Sequence, residues 1–334
     1  MTHRHRFCRA FLASVLVIGI GSTFVTEHAS AAAPIVGTQA PGYYRLMLGD
    51  IEVTALSDGT IDFRMDKLLI GASADTIKGD YRRAFQSIPA ESSMNQFIVN
   101  TGSRLVLVDT GAGTFYGATL GKMTDNLRSA GYAPEQIDEV VITHMHADHI
   151  GGLVTNGDRT FPNAVLRVDK AEFDYWMNPA NEARASKAVR INFDVAQKTF
   201  GPYIAAGKIQ LFDGETPIAP GIRAIPQPGH TPGHSFIAVE SKGKKLVLWG
   251  DVVHSSVVQF RDPSVRIVWD SDNREAERVR LAAFADAARN GYLIGAAHLP
   301  FPSFGHVARS DDGKGFIYVP LNYTQNRQGE AKSD

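Results

Sequence analysis

The 334-residue sequence contains a single cysteine, Cys8, close to its N-terminus. A disulfide framework and a zinc site built from several cysteines are therefore excluded. Two further signatures are missing: the Gly-x-Ser-x-Gly turn and the glycine-rich loop that cradles phosphates. These absences remove the usual indications of a serine hydrolase and of a P-loop nucleotide-binding protein.

Long runs of charge of one sign are also missing, and the formal net charge is −1. This balance gives no electrostatic reason to expect nucleic acid or a membrane surface as a partner. The sequence shows no internal repeat, low-complexity segment or linker. A small-molecule partner is therefore the expectation.

The N-terminus has the three parts of a secretory signal peptide: Arg4, Arg6 and Arg9, an apolar stretch over 11–20, and the small-residue site Ala29-Ser30-Ala31. The apolar stretch is short for a bilayer span, which disfavours the alternative of a membrane anchor. We predict that residues 1–31 are removed, that the protein is secreted or periplasmic, and that residues 32–334 form one domain without cysteine.

Apolar runs and turn signals predict a chain rich in β-structure. Residues 58–92 are expected to be irregular, with Asp58 forming a turn. The predicted strands are 43–48, 51–56, 95–100, 105–108, 140–143, 164–168, 208–212, 222–226, 236–240, 245–249 and 292–297. The predicted helices are 120–127, 169–206 and 274–289. Two hairpin-rich halves, each followed by helices, indicate two sheets packed face to face with helices outside.

The densest set of potential metal ligands is the segment His144-Met145-His146-Ala147-Asp148-His149, directly after the apolar run 140–143. His144 and His146, two apart in extended chain, can point the same way and bind one metal ion. Asp148 and His149 follow a turn of the backbone and can face a second ion. These side chains suit zinc, and also manganese, iron, cobalt or nickel. A charged surface turn is the alternative, which three histidines and an aspartate at a strand exit make less favourable.

Three more candidate ligands lie at predicted strand ends: His230 in the segment Gly229-His230-Thr231-Pro232-Gly233-His234, Asp251 after Gly250, and His298 after the last strand. Loops at one edge of a rigid β scaffold commonly carry a functional site. We therefore expect these residues to meet the first cluster.

This series of motifs, in this order, resembles that of the metallo-β-lactamase superfamily. The resemblance implies an α/β fold, the αββα sandwich of two mixed sheets flanked by helices, with two divalent metal ions per chain, zinc being the first expectation. His144, His146 and His230 would bind one ion, and Asp148, His149 and His298 the other. Asp251 would bridge them.

Four other residues have less certain roles. Asp109, at a strand end, is expected to accept the second N–H of a ligand histidine or to cap a turn. His234 and His306 are expected to be structural. His254, three residues after Asp251, is either an ordinary buried histidine or a pocket-wall residue and proton donor.

The segments 40–45, 56–60, 108–111, 283–288 and 296–299, with the signal peptide, further resemble the methyl parathion hydrolase branch of that superfamily. The resemblance implies a secreted, homodimeric, binuclear-zinc enzyme acting on organophosphates, lactones or aryl esters. It also implies a substrate pocket that includes Tyr116, Trp176 and Phe193. Core packing would explain each of these aromatic residues equally well.

The sequence departs from the organophosphate-hydrolysing pattern at four pocket positions. Leu68 replaces an arginine, His254 and Trp269 replace leucines, and Ile267 replaces a threonine. Trp269 and His254 are larger or more polar than leucine, so they should crowd a tetrahedral phosphoryl group and leave room for a flat ring. We therefore predict a hydrolase that opens lactones and cleaves aryl esters with a hydroxide shared by two metal ions. Asp148, Asp251 and His254 are its predicted catalytic residues.

Three alternatives remain open. The first is an organophosphate hydrolase with the same metal centre. The second is a β-lactamase, disfavoured because no cation is evident in the pocket to hold a β-lactam carboxylate. The third is a non-catalytic periplasmic metal-binding protein, disfavoured because all seven ligand positions are filled.

Overall fold

The structure, a computed structural model, describes Met1 and residues 33–323. The predicted signal peptide therefore lies, apart from Met1, outside the described residues. The chain divides into two compact units, Met1–Gln39 and Ala40–Asp334. In the first unit, residues 33–39 are exposed and form no helix or strand. Within the described ranges, no helix is both long and apolar enough to cross a membrane.

The second unit is built from strands β1–β18 and helices α1–α8. In chain order the strands are β1 Tyr43–Leu48, β2 Ile51–Phe63, β3 Leu69–Ile70, β4 Ala90–Asn100, β5 Leu105–Val108, β6 Glu139–Val141, β7 Val154–Thr155, β8 Asp158–Arg159, β9 Val165–Asp169, β10 Ile209–Phe212, β11 Thr216–Ala219, β12 Ile222–Pro226, β13 Ser235–Ser241, β14 Lys244–Leu248, β15 Arg266–Ile267, β16 Leu293–Gly295, β17 Gly305–Arg309 and β18 Phe316–Pro320. The helices are α1 Met65–Leu68, α2 Ala74–Arg83, α3 Met123–Ser129, α4 Ala147–Ile150, α5 Lys170–Trp176, α6 Pro179–Arg184, α7 Lys187–Ala205 and α8 Asn273–Asn290, with short 3₁₀ turns at Pro134–Gln136 and Gly151–Leu153.

Two seven-stranded mixed sheets form the scaffold. Their strand orders are β1-β2-β4-β5-β6-β9-β10 and β11-β12-β13-β14-β16-β17-β18. In the first sheet, β5, β6, β9 and β10 run parallel and the other neighbours are antiparallel. In the second sheet, only β14 and β16 pair in parallel. Parallel neighbours end at the same sheet edge, so loops after β5 and β6, and after β14 and β16, emerge side by side.

The alternation of side chains along each strand divides the core into layers. Val106 and Val108 of β5 pack in a cluster with Leu246 and Leu248 of β14, between the sheets. Leu107, on the other face of β5, belongs to the cluster that includes residues of α3 and α7. A third cluster joins β14 and β16 to α8. The predicted αββα sandwich is confirmed.

The strand and helix predictions contain one clear error and several omissions. Residues 58–92 are not irregular, because β2 continues to Phe63 and is followed by α1, β3, α2 and the start of β4. The region predicted to be helical over 169–206 is helical and consists of α5, α6 and α7, with Pro179 at the first position of α6, a position that suits proline. The strands β7, β8, β11, β15, β17 and β18 were not predicted.

Asp58 is a buried strand residue and not the turn former that we predicted. It lies in β2, where the pairing with β4 shifts register between Ser57 and Gly59, and it is 1% exposed. Its carboxylate accepts backbone N–H bonds from Ala112, Gly121 and Met123 at 2.9, 3.1 and 3.0 Å. It therefore ties the loop after β5 and the start of α3 to the first sheet.

We expect Asp58→Ala to lower the free energy of unfolding by roughly 3–5 kcal/mol, because two buried N–H groups and a partly buried one lose their acceptor together. Urea denaturation measures the change. Asp62→Ala, at an exposed position of the same strand, is the control and should cost no more than about 0.5 kcal/mol. Equal effects of the two substitutions would contradict the anchoring role of Asp58.

Candidate metal centre

The histidine-rich segment changes from extended to helical backbone at His146. After β6 the chain bends at Thr143 and reaches His146, which is extended with φ −72° and ψ 152° and precedes the short helix α4. The extended part carries His144 and His146, and α4 carries Asp148 and His149. The structure therefore separates the two pairs by a turn, as the sequence predicts.

Loops from both sheets bring seven predicted ligands together in two groups. His230 comes from the connection between β12 and β13, Asp251 from the loop after β14, and His298 from the loop after β16. Within each group the potential ligand atoms lie within 4.8 Å of one another. The groups are His144, His146, His230 and Asp251, and Asp148, His149, Asp251 and His298.

Asp251 belongs to both groups. Its Oδ2 atom lies 3.6 Å from His144 Nε2, 3.5 Å from His230 Nε2 and 3.0 Å from His298 Nε2. Its Oδ1 atom lies 3.2 Å from His149 Nε2. This is the position that a bridging carboxylate requires, although metal binding by each of the seven residues stays a prediction.

The donor set fits divalent cations. His149 Nε2 and Asp251 Oδ1 are buried and have no hydrogen-bond partner among the described residues. Such atoms destabilise a fold unless something satisfies them. His146 Nδ1 also lies 3.2 Å from His144 Nε2 and 3.1 Å from His230 Nε2. Converging imidazole nitrogens and carboxylate oxygens are the ligands that zinc and similar ions prefer.

The electrostatics of the cluster favour cation binding. Burial lowers the pKa of His144 and of His146 well below the ordinary value, and neighbouring histidines lower both further. Both rings are therefore neutral at neutral pH, which is the form that binds a metal ion. Burial raises the pKa of Asp251, but the surrounding histidines outweigh it and bring this pKa well below the usual range. Asp251 is therefore a carboxylate.

Two buried aspartates orient ligand histidines from behind. His149 donates from Nδ1 to Asp109 Oδ2 at 2.8 Å, as we predicted for Asp109, and His230 donates from Nδ1 to Asp270 Oδ1 at 2.8 Å. Burial lowers the pKa of both histidines, but carboxylates outweigh it, raising that of His230 to about 9 and that of His149 well above its ordinary value. Such pairing fixes the ring and makes its other nitrogen a better ligand.

Asp109 is held in a strained backbone conformation, with φ +60°, which is uncommon outside glycine. Its carboxylate accepts the backbone N–H of Thr143 at 2.8 Å and the hydroxyl of Thr143 at 2.7 Å. The loop after β5 also passes close to Gly151 and Gly152, where an added Cβ would lie 2.2 and 2.0 Å from backbone oxygens. Only glycine allows this approach, which places Asp109 under His149.

Glu172 links the two histidine segments. This fully buried side chain accepts the backbone N–H of Met145 at 2.7 Å, that of Gly233 at 2.8 Å, and the indole N–H of Trp176 at 2.6 Å. The segments that carry His144 and His230 are therefore attached to one carboxylate. Sequence reasoning missed this role, because an acidic residue in the first turn after the N-cap Asp169 is ordinary at a helix start.

Among residues 33–323, three histidines lie outside the ligand groups, and the contacts of His234 and His306 are structural. His234 accepts the backbone N–H of Asp251 at Nε2, 3.1 Å away, and burial lowers its pKa to about 3. His306 lies 3.0 Å from the carbonyl oxygen of Gly291. His254 donates from Nε2 to Asp251 Oδ2 at 3.1 Å, and burial lowers its pKa to about 4. The proton-donor role of His254 stays a prediction.

A cavity of about 200 Å³ opens onto the two groups. Of the predicted pocket residues, Tyr116 and Trp269 line it, beside the cluster residues His146, Asp148, Asp251 and His298. Five lining residues were not predicted, and four of them are apolar. They are Ile61, Phe63, Met94, Ile191 and Asn192. Ile61 and Phe63 come from the stretch 58–92 that was expected to be irregular, so the sequence carried no pocket signal there.

The other predicted pocket residues do not line this cavity. Trp176 is 1% exposed and packs edge-on against His146, with ring centroids 5.4 Å apart, and Phe193 is fully buried beside it. Leu68 and Ile267 belong to the apolar cluster on which Trp269 packs. His254 lines a separate cavity that shares His298 with the first. Substrate binding by these residues stays a prediction.

The sequence is similar to a known family of metal-dependent proteins and to several of its members. A model of the metallo-β-lactamase superfamily matches residues 91–307. An N-acyl homoserine lactonase of a Bacillus species is 27% identical over 171 residues, covering 46% of this chain and 60% of the lactonase. A probable metallo-hydrolase of Mycobacterium tuberculosis is 29% identical over 182 residues, covering 47% of this chain and 56% of that protein. The chain thus spans less than two thirds of these relatives' length.

Two solved structures are similar over most of the chain. The crystal structure of the hydrolase AbOPH, in the β-lactamase superfamily, superposes with a TM-score of 0.82 at 35% identity, covering 86% of this chain and 100% of that one. AidC, a dizinc quorum-quenching lactonase in complex with a product, has a TM-score of 0.75 at 25% identity, covering 85% and 99%.

We expect Asp270→Asn to weaken zinc binding by about 10–100-fold, because His230 loses the carboxylate behind its ring. Competition with a chromophoric chelator measures the affinity. The control is Asp272→Asn, two residues away, where the side chain caps α8 and asparagine caps equally well. Unchanged affinity in Asp270→Asn would show that the carboxylate behind His230 does not support metal binding.

Proposed function

This chain belongs to the metallo-β-lactamase superfamily, and we propose that it is a binuclear metal-dependent hydrolase that opens lactones and cleaves aryl esters. The observation that carries the proposal is the cavity above the two ligand groups. Its wall is largely apolar and aromatic, and its polar lining residues are the ligand-group residues His146, Asp148, Asp251 and His298, together with Asn192. A neutral substrate with one reactive carbonyl suits such a site.

The cavity wall offers no cationic side chain to an anionic substrate. None of the residues that line it is lysine or arginine, and Asp148 and Asp251 are both present. A β-lactam, whose carboxylate needs a cationic partner, would be held poorly. A lactone or an aryl ester carries no charge that the wall must neutralise.

The size and shape of the cavity favour a compact, flat substrate. Its volume of about 200 Å³ is below the usual range of roughly 300–1,000 Å³ for ligand pockets. Phe63 and Trp269 form an edge-to-face pair with centroids 5.0 Å apart, and Leu68 and Ile267 pack in the cluster behind them. Of the four side chains that depart from the organophosphate-hydrolysing pattern, Trp269 therefore lines the cavity, while Leu68 and Ile267 belong to the apolar packing that supports it.

The chain's own residues supply binding and proton transfer. Two divalent ions held by the ligand groups would make a water molecule nucleophilic near neutral pH and polarise the substrate carbonyl. Asp148 has the more accessible of the two cluster carboxylates, with 14% of its side chain exposed against 3% for Asp251. It also lines the cavity. The Asp148 carboxylate can therefore accept the proton of the attacking water and return it to the leaving oxygen.

The names of the relatives support the lactone part of the proposal. Lactonases are among the similar sequences and structures, so acyl homoserine lactones belong among the substrates to be tested. We also propose membership of the methyl parathion hydrolase branch, export to the periplasm or medium, and a homodimer. These rest on the sequence resemblance and on the signal-peptide pattern of residues 1–31.

We expect the zinc-loaded enzyme to show kcat/KM for dihydrocoumarin at least about 100-fold above that for methyl paraoxon, because an unfavourable fit of a few kcal/mol corresponds to that factor. N-hexanoyl-homoserine lactone is the third substrate in the comparison. Enzyme freed of metal by chelation is the control and should be inactive on all three.

A preference for methyl paraoxon would replace the lactonase assignment with the organophosphate hydrolase alternative. Stoichiometric metal binding without turnover of any ester would favour the non-catalytic alternative.

A further inference from the structure

Asn192 is a polar residue of the cavity wall that belongs to neither ligand group. It lies near the start of α7 and is 8% exposed. Its Oδ1 atom accepts the backbone N–H of Ala147 at 3.0 Å, at the first residue of α4 between His146 and Asp148. One side of this amide is therefore attached to the segment that carries four of the seven predicted ligands.

That contact fixes the orientation of the amide. A backbone N–H can only donate, so the oxygen of Asn192 must face Ala147 and the nitrogen must face away. The Nδ2 group has no hydrogen-bond partner among the described residues, and it is not one of the buried unpartnered atoms. Since Asn192 lines the cavity, its N–H donors are available to a molecule bound there.

The other uncommitted donors of the wall are less well held. Tyr116 and Trp269 line the same cavity and are only partly buried. The Tyr116 hydroxyl can rotate, whereas the Asn192 amide is buried and anchored by a hydrogen bond. A donor that is already oriented needs no reorganisation when substrate binds.

We propose that Asn192 is a specificity-determining residue whose Nδ2 donates a hydrogen bond to the carbonyl oxygen of the substrate, while its Oδ1 holds the metal-binding segment. The inference rests on the proposed ester and lactone hydrolysis. It implies that the protein recognises an oxygen acceptor in addition to the apolar ring, and that binding and metal-site geometry are coupled through one side chain.

The test substitution is Asn192→Asp, which keeps an oxygen for Ala147 and replaces the donor with a second acceptor. Asn156→Asp is the matched control: it adds the same charge in the exposed two-residue turn between β7 and β8, where φ is +53° and aspartate is tolerated. Metal content and thermal unfolding of all three proteins report whether the metal-binding segment is intact. We expect both to be unchanged.

The activity readout compares dihydrocoumarin with its thiono analogue, whose sulfur accepts hydrogen bonds weakly. We expect Asn192→Asp to lower kcat/KM for dihydrocoumarin by about 10–100-fold, and to lower the preference for oxygen over sulfur by about tenfold. The added charge affects both substrates of the variant, so it cancels in the ratio of oxygen to sulfur substrate. Any preference of the metal ions for sulfur is the same in the variant and the wild type, so it cancels when the two ratios are compared. Asn156→Asp should match the wild type.

A binding readout separates this inference from the proposed function. The lactam isostere of dihydrocoumarin presents the same carbonyl and resists hydrolysis, and quenching of Trp269 fluorescence reports its binding. We expect about tenfold weaker binding to Asn192→Asp.

Equal binding and an unchanged oxygen-to-sulfur ratio would overturn the role of Asn192 even if the enzyme hydrolyses lactones. Loss of metal together with an equal fall for both substrates would make Asn192 a purely structural residue. Absence of ester turnover by the wild type would instead overturn the proposed function.

Discussion

Asp251 carries a negative charge in a fully buried position, where histidine rings surround both of its oxygens. A buried carboxylate is costly unless it is paired, and converging imidazole nitrogens are costly unless something lies between them. Divalent cations would satisfy both requirements at once. Much of the surrounding architecture can be understood as the means by which loops from two sheets are held in this arrangement.

Buried carboxylates outside the ligand groups provide that support. Asp109 and Asp270 hold the rings of His149 and His230, and Glu172 attaches the two histidine segments to each other. Asp58 anchors the loop that carries Asp109. Each acts through hydrogen bonds to groups that have no access to water, so the predicted ligands are oriented before any ion binds.

The sequence predicted what is local and periodic. The sandwich followed from hairpins and apolar runs, and the segment 144–149 carried its chemistry in the spacing of its residues. It could not predict contacts between distant segments. Asp270 looks like part of the cap of α8, and nothing near Asn192 indicates that α7 lies over α4. Part of the pocket wall was missed for the same reason, because Ile61 and Phe63 gain their role only from the partners that the fold gives them.

The most direct measurement is anomalous diffraction at the zinc edge from crystals grown with zinc. Two peaks are expected per chain, one among His144, His146, His230 and Asp251 and the other among Asp148, His149, Asp251 and His298, with Asp251 contacting both. A single peak, or peaks away from these groups, would contradict the binuclear centre on which the proposed hydrolysis depends.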